Sequence, residues 1–156
     1  MSKSLKRVVK ALQDAGLDGD VLHMEAGTRT AQDAADAAGC ELDQIVKSII
    51  FQGETSGDVI LFLTAGGNRV DPDRAAAVAG EPVGRADAAL VRERTGFAIG
   101  GVSPVGHLSP PRMYWDPRIS DFATVYAAAG TPQHIFPIAP DELLRITGAE
   151  AGNFTA

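Results

Sequence analysis

Apolar and polar positions along this chain follow two periods, one near 3.6 residues and one of 2. Leu5, Val8, Val9 and Leu12 recur at helical spacing ahead of Gly16, which predicts an amphipathic first helix. Residues 20–25 read as a short strand. Thr30-Ala-Gln-Asp33 has the form of a capping box, a hydroxyl for the first turn and a carboxylate three residues on. The helix it opens runs through Ala34, Ala35 and Ala38 to a stop at Gly39. Residues 45–51 form a β-branched run, residues 53–57 a turn and residues 58–64 a second apolar run, so the three together predict a hairpin. Residues 65–68, Ala-Gly-Gly-Asn, read as a loop.

Further on, Asp71 and Pro72 open a helix that Gly80 closes, and residues 81–86 are a short extended piece. Residues 87–96 form another capped helix, and Pro140 and Asp141 start a last one that ends at Gly148. Strands are expected at residues 112–115, 122–126 and 134–138, and the apolar residues 97–99 read as a strand entering a glycine-rich loop. Residues 149–156 read as a loose tail. Helices and strands mix without strict alternation, without a repeat and without a dividing linker. The expectation is one α+β domain over residues 1–156, a mixed-strand β-barrel or strongly curved sheet surrounded by helices.

Composition narrows the function classes. With 156 residues, 45% hydrophobic and 22% charged, the chain can bury a core without staples. The lone Cys40 excludes an internal disulfide and a multi-cysteine zinc site. Apolar runs fall far short of the ~18 residues that span a bilayer, and the N-terminus has no export signal, so a soluble cytoplasmic protein without a membrane partner is expected. The net charge of −6 argues against a broad grip on nucleic acid, so any contact with one must use a local basic patch. Lys3, Lys6, Arg7 and Lys10 on the first helix are the densest such face, and a solvated surface is the simpler reading of them.

Candidate chemistry concentrates in two places. Gly100-Gly101-Val-Ser103-Pro104-Val-Gly106-His107 combines two glycines with a hydroxyl and a turn-fixing proline. Bare amides there can hold an oxyanion or a carboxyl oxygen, and bare carbonyls a substrate ammonium; a glycine-rich barrel corner is the competing reading. Lys47 interrupts an apolar strand and shares a face with Ile45, Ile49 and Phe51. It either meets an anion at an opening or guards a sheet edge. His23, His107 and His134 are isolated from one another and make no metal set, and Cys40 has no histidine near it in sequence. No nucleophile elbow, phosphate-binding loop or dinucleotide fingerprint occurs. An enzyme built on this chain would work without metal or nucleotide cofactor.

In combination these motifs resemble the YbaK/prolyl-tRNA-synthetase-associated editing family, with the resemblance running from about Thr30 to Ile146. It is carried by the Thr30 helix, the strand containing Lys47, the string from Gly100 to Gly106, Asp116 after a strand, and Gly130 before the last strand and helix. It implies metal-free hydrolysis of mischarged aminoacyl-tRNA esters, with no cofactor. It also implies Lys47 as the residue most closely tied to activity. Thr30, Gly100, Gly101, Ser103, Pro104, Gly106, Asp116 and Gly130 are then the substrate-binding positions, with His107 at the end of the loop and its role unassigned. The implied partners are the acceptor end of mischarged tRNA and an aminoacyl-tRNA synthetase. The alternative is a module of the same fold that binds an aminoacyl end, a nucleotide or a protein without turnover.

Overall fold

The computed structural model describes residues 2–25 and 30–156. Helix α1 (Lys3–Asp14) starts at Ser2, whose hydroxyl accepts the Leu5 amide, and turns Leu5, Val8 and Leu12 into the core. After the short strand β1 (Leu22–His23), helix α2 (Ala31–Ala38) begins with both halves of the Thr30/Asp33 capping box formed and ends at a left-handed Gly39. A 3-10 turn (Leu42–Gln44) leads into β2 (Ile45–Gly53), and β3 (Val59–Ala65) returns antiparallel to it, as the hairpin pattern predicts. The remaining elements are α3 (Pro72–Ala79), β4 (Val83–Arg85), α4 (Ala88–Thr95), β5 (Arg112–Trp115), a second 3-10 turn (Pro117–Asp121), β6 (Val125–Ala128), β7 (His134–Ile138), α5 (Pro140–Thr147) and β8 (Glu150–Ala151).

The strands join one mixed sheet in the order β1-β7-β6-β2-β3-β5-β8, and the sheet does not close into a barrel. Strand β3 lies between β2 and β5 and is buried along its whole length, which is why its sequence is a nearly continuous apolar run rather than an alternating one. Leu61 and Leu63 join the larger core with Val8, Trp115, Phe136 and Leu143. Ile60 and Phe62 face the other way, into a smaller core with Ala75, Ala79, Tyr114 and Phe154.

One irregularity of the sheet positions the site. Strand β2 pairs with β6 only at Ile45 and Val46, and with β4 only at Phe51, Gln52 and Gly53. On that edge residues 47–50 have no strand beside them, and the sheet splits there.

Three expectations are corrected. Residues 97–99 are not a strand: Gly96 and Gly100 both adopt positive φ (81° and 97°), and between them the chain buries Phe97 but leaves Ile99 exposed. The strand expected at 122–126 lies at Val125–Ala128, where small alanines allow close packing in the interior. The C-terminal segment is not loose. Strand β8 pairs with β5, Thr155 bridges Val70, and Phe154 is fully buried with its ring 4.9 Å from that of Phe62. Because Phe154 completes the smaller core, Phe154→Ala should cost about 3–5 kcal/mol. Urea unfolding checks this, and a loss under about 1 kcal/mol would mean that the segment contributes little to the fold.

Candidate functional site

The split in the sheet opens into a cavity of about 260 Å³ between β2, α2 and the loop that follows α4. Thr30, Lys47, Ser48 and Gly100 bring polar groups or bare backbone to it, and Ala34, Val102, Ala127 and Ile135 make much of its wall apolar. Residues far apart in sequence meet here because β2 supplies one side and the glycine loop the other.

Lys47 is held, not free. Its Nζ donates to the backbone carbonyl of Asn68 at 2.6 Å. Partial burial lowers its pKa, as does the nearby Arg69 charge, while Asp43 and Asp116 act in the opposite sense. The loop bearing that carbonyl is fixed in turn by Asp116, which is 3% exposed. One oxygen of Asp116 accepts the Ala65 amide (3.1 Å) and the Asn68 side-chain amide (2.8 Å), and the other accepts the Arg118 amide at 3.0 Å. Asp116 therefore lies behind the site and orients the lysine through the loop, rather than lining the cavity. Next to Lys47, the Ser48 hydroxyl is buried without a partner, a polar group that a ligand could satisfy. Thr30 contributes an exposed hydroxyl that accepts the Asp33 amide to cap α2, and its own proton remains available to donate.

The glycine string divides into parts. Gly100, at φ 97°, has open space where a side chain would begin and borders the cavity. Gly101 is buried against the backbone of Gly130 and Thr131 at ordinary contact distance. Ser103 is fully buried, its hydroxyl accepting the Val105 amide at 3.2 Å to fix the turn. Gly106 and Gly130, both at positive φ, lie against the backbone of α1, where a methyl group would meet Arg7 or Ser4 at about the closest distance real atoms tolerate. The Arg7 guanidinium donates to the carbonyls of Gly96 and Gly106 and lies 5.0 Å over the Phe97 ring. Arg7 is thus a clamp on the loop and not part of a free basic face. Lys10 pairs with Asp14, and of that expected patch only Lys3 and Lys6 are left as exposed cations without an ion pair among the described residues.

Pro104, Gly106 and His107 line a different cavity beside α1 and α5. His107 stands edge-on to Phe97 with its Nε2 buried and unpartnered. Burial and the nearby Arg7 charge push its pKa down to about 4, against a hydrogen bond with the Ser103 backbone. Burial raises the Cys40 thiol, and Cys40 packs against the small α2 core without lining the cavity. Among the described residues no group of three or more potential metal ligands occurs.

Asn68 and Ser48 escaped the sequence reading. The hairpin register held the signal, since pairing Val46 with Ala65 places the loop after β3 beside Lys47.

The open mixed sheet is split beside a lysine that shares one small cavity with a glycine loop. A family model for the aminoacyl-tRNA editing domain matches residues 25–146, and the chain belongs to that family. It is 34% identical over 141 residues to the uncharacterized protein YwhH of Bacillus subtilis (strain 168), covering 90% of this chain and 88% of that one. A crystal structure of a proposed trans-editing enzyme for prolyl tRNA synthetase is 44% identical, with a TM-score of 0.92 over 100% of this chain and 99% of that one. The hypothetical protein APE2540 is 29% identical, with a TM-score of 0.86 over 96% and 99%.

The His107 environment generates a pH test. The unfolded chain takes up the proton near the ordinary 6.5, whereas the folded chain resists it until about 4. Stability is therefore fully present above pH 6.5 and is lost as pH falls through that window, by about 3 kcal/mol. His107→Leu should flatten the dependence in urea titrations from pH 7 to pH 4, and an unchanged slope would assign it to other groups.

Proposed function

We propose that the chain is a trans-acting aminoacyl-tRNA deacylase that hydrolyses the ester of mischarged tRNA in the cytoplasm, without a metal. The observation that carries this reading is the pairing of Lys47 with bare glycine backbone across one small, mostly apolar cavity. The aminoacyl side chain enters among the alanines and valine, with Gly100 as its nearest backbone wall. Lys47 faces the ribose end, where its cation balances phosphate or the charge that develops on the ester oxygen. Water adds to the ester carbonyl carbon, the carbon–oxygen bond to the ribose breaks, and the ribose oxygen leaves with a proton. The ester is already reactive, so holding water and substrate in place supplies much of the acceleration. The neighbouring ribose hydroxyl can organise the water.

A cavity of this size and lining favours a small apolar side chain. Binding alone distinguishes one methylene by only about 1–3 kcal/mol, which is the physical reason for a second, sieving site that acts after a synthetase has erred. The synthetase that errs is accordingly the expected source of the tRNA.

Lys47→Ala should reduce deacylation of the preferred mischarged tRNA at least 100-fold, while the thermal midpoint stays within a few degrees. Retention of full rate would remove the lysine from the mechanism. If the wild-type protein binds mischarged tRNA but releases no amino acid from any of a panel, the chain is a binding module instead. Gly100→Ala tests the sieve. The forbidden torsion should cost about 1–3 kcal/mol, and the added methyl should slow hydrolysis more for larger side chains than for alanyl or glycyl esters. A uniform fall across side-chain sizes would make Gly100 a structural turn only.

A further inference from the structure

A second cavity, of about 410 Å³, adjoins the first and shares Lys47 and Ile49 with it. Its floor is apolar, formed by Ile49, Phe51 and Val70, and its rim carries Lys47, Asn68 and Arg69. Phe51 is half-buried, held edge-on to Phe62 at 5.7 Å, on the same face of β2 as Lys47.

Two cations stand together here without a carboxylate in ion-pair contact among the described residues. Arg69 is exposed, its charge acts on Lys47, and neither residue forms an ion pair among the described residues. The carboxylates close by are already engaged. Asp43 pairs with Arg118 at 3.0 Å and accepts the Gly67 amide at 2.7 Å, while Asp116 is taken up by its three donors. The wall that presents Arg69 is fixed in place. Gly66 and Gly67 lie against Leu42 and Asp43 with no room for a side chain, and the Arg69 carbonyl accepts the Ala156 amide at 2.8 Å. An unpaired cation on a rigid wall, across from a half-exposed aromatic ring, is the chemistry that holds single-stranded nucleic acid: a base on the ring and a phosphate at the cation.

We propose that this second cavity seats the penultimate nucleotide of the single-stranded acceptor end, its base against Phe51 and its 3′-phosphodiester at Arg69. The inference rests on the editing reading of the first cavity, which puts the terminal aminoacyl-adenosine at Lys47. The shared lysine then stands where the two nucleotides join. It also accounts for how a chain of net charge −6 grips tRNA, since a single well-placed phosphate contact does not need a basic surface.

The test uses the dinucleotide cytidylyl-3′,5′-adenosine in NMR titrations of the wild-type chain, Arg69→Gln, Arg69→Lys and the distant charge control Arg92→Gln. Wild type should show shifts at Phe51, Arg69 and Val70. Affinity should fall about tenfold in Arg69→Gln, recover in part in Arg69→Lys and hold in Arg92→Gln. With mischarged tRNA, Arg69→Gln should raise KM about tenfold and leave kcat within twofold, and the log–log salt slope should shrink by about 0.7. Equal weakening in Arg69→Gln and Arg92→Gln, or dinucleotide shifts confined to other surfaces, overturns the proposal even if the wild type hydrolyses mischarged tRNA. Arg69-dependent dinucleotide binding by a protein that hydrolyses no mischarged tRNA supports the nucleotide seat and removes the deacylase reading instead.

Discussion

The buried carboxylate of Asp116 accepts two backbone amides and one side-chain amide, and the position of Lys47 follows from those three bonds. Removing a partner from a buried acceptor costs more than an ordinary hydrogen bond is worth, so the loop after β3 has one stable arrangement. That arrangement aims the Asn68 carbonyl at the lysine, which would otherwise be a flexible side chain with about 2 kcal/mol of rotamer freedom. The cost of ordering Lys47 is met within the fold before any ligand arrives, which is what a preorganised electrostatic site requires.

On the opposite side of the cavity, α1 does the corresponding work. Its Arg7 holds two carbonyls of the glycine loop, and Gly106 and Gly130 are glycines because α1 backbone occupies the space a side chain would need. These glycines thus have separate reasons. Gly100 borders the cavity with open space beside it, while Gly106 in the same loop and Gly130 between β6 and β7 give up their space to a helix. A string that looks like a single motif in sequence is in three dimensions a cavity wall fastened to a support.

Much of this was legible beforehand. The hairpin, the capped helices and Lys47 all follow from periodicity and turn residues. That Lys47 and the glycine loop belong to one site was implied by the family resemblance alone, and Lys47 and Gly100 do border the same cavity. What was not legible depends on partners remote in sequence. Residues 97–99 have a strand's composition, but the positive φ of the flanking glycines turns them into a bend. The last eight residues look like a tail because their one large apolar residue, Phe154, finds its partners some 40 to 90 positions earlier. Arg7 reads as surface charge because nothing local reveals that its acceptors lie 89 and 99 residues away.

The docking of the C-terminus has a practical side. The Ala156 amide is bonded to the Arg69 carbonyl, and the Thr155 carbonyl accepts a bond from the Arg74 side chain at 2.8 Å. Any polypeptide joined after Ala156 therefore begins within one residue of the wall that carries Arg69. A purification tag placed there would crowd the rim of the second cavity. A polyhistidine or acidic tag would bring its own side chains to the two unpaired cations. Fusion partners belong ahead of α1, and binding work on a C-terminally tagged protein would measure the tag as well as the fold.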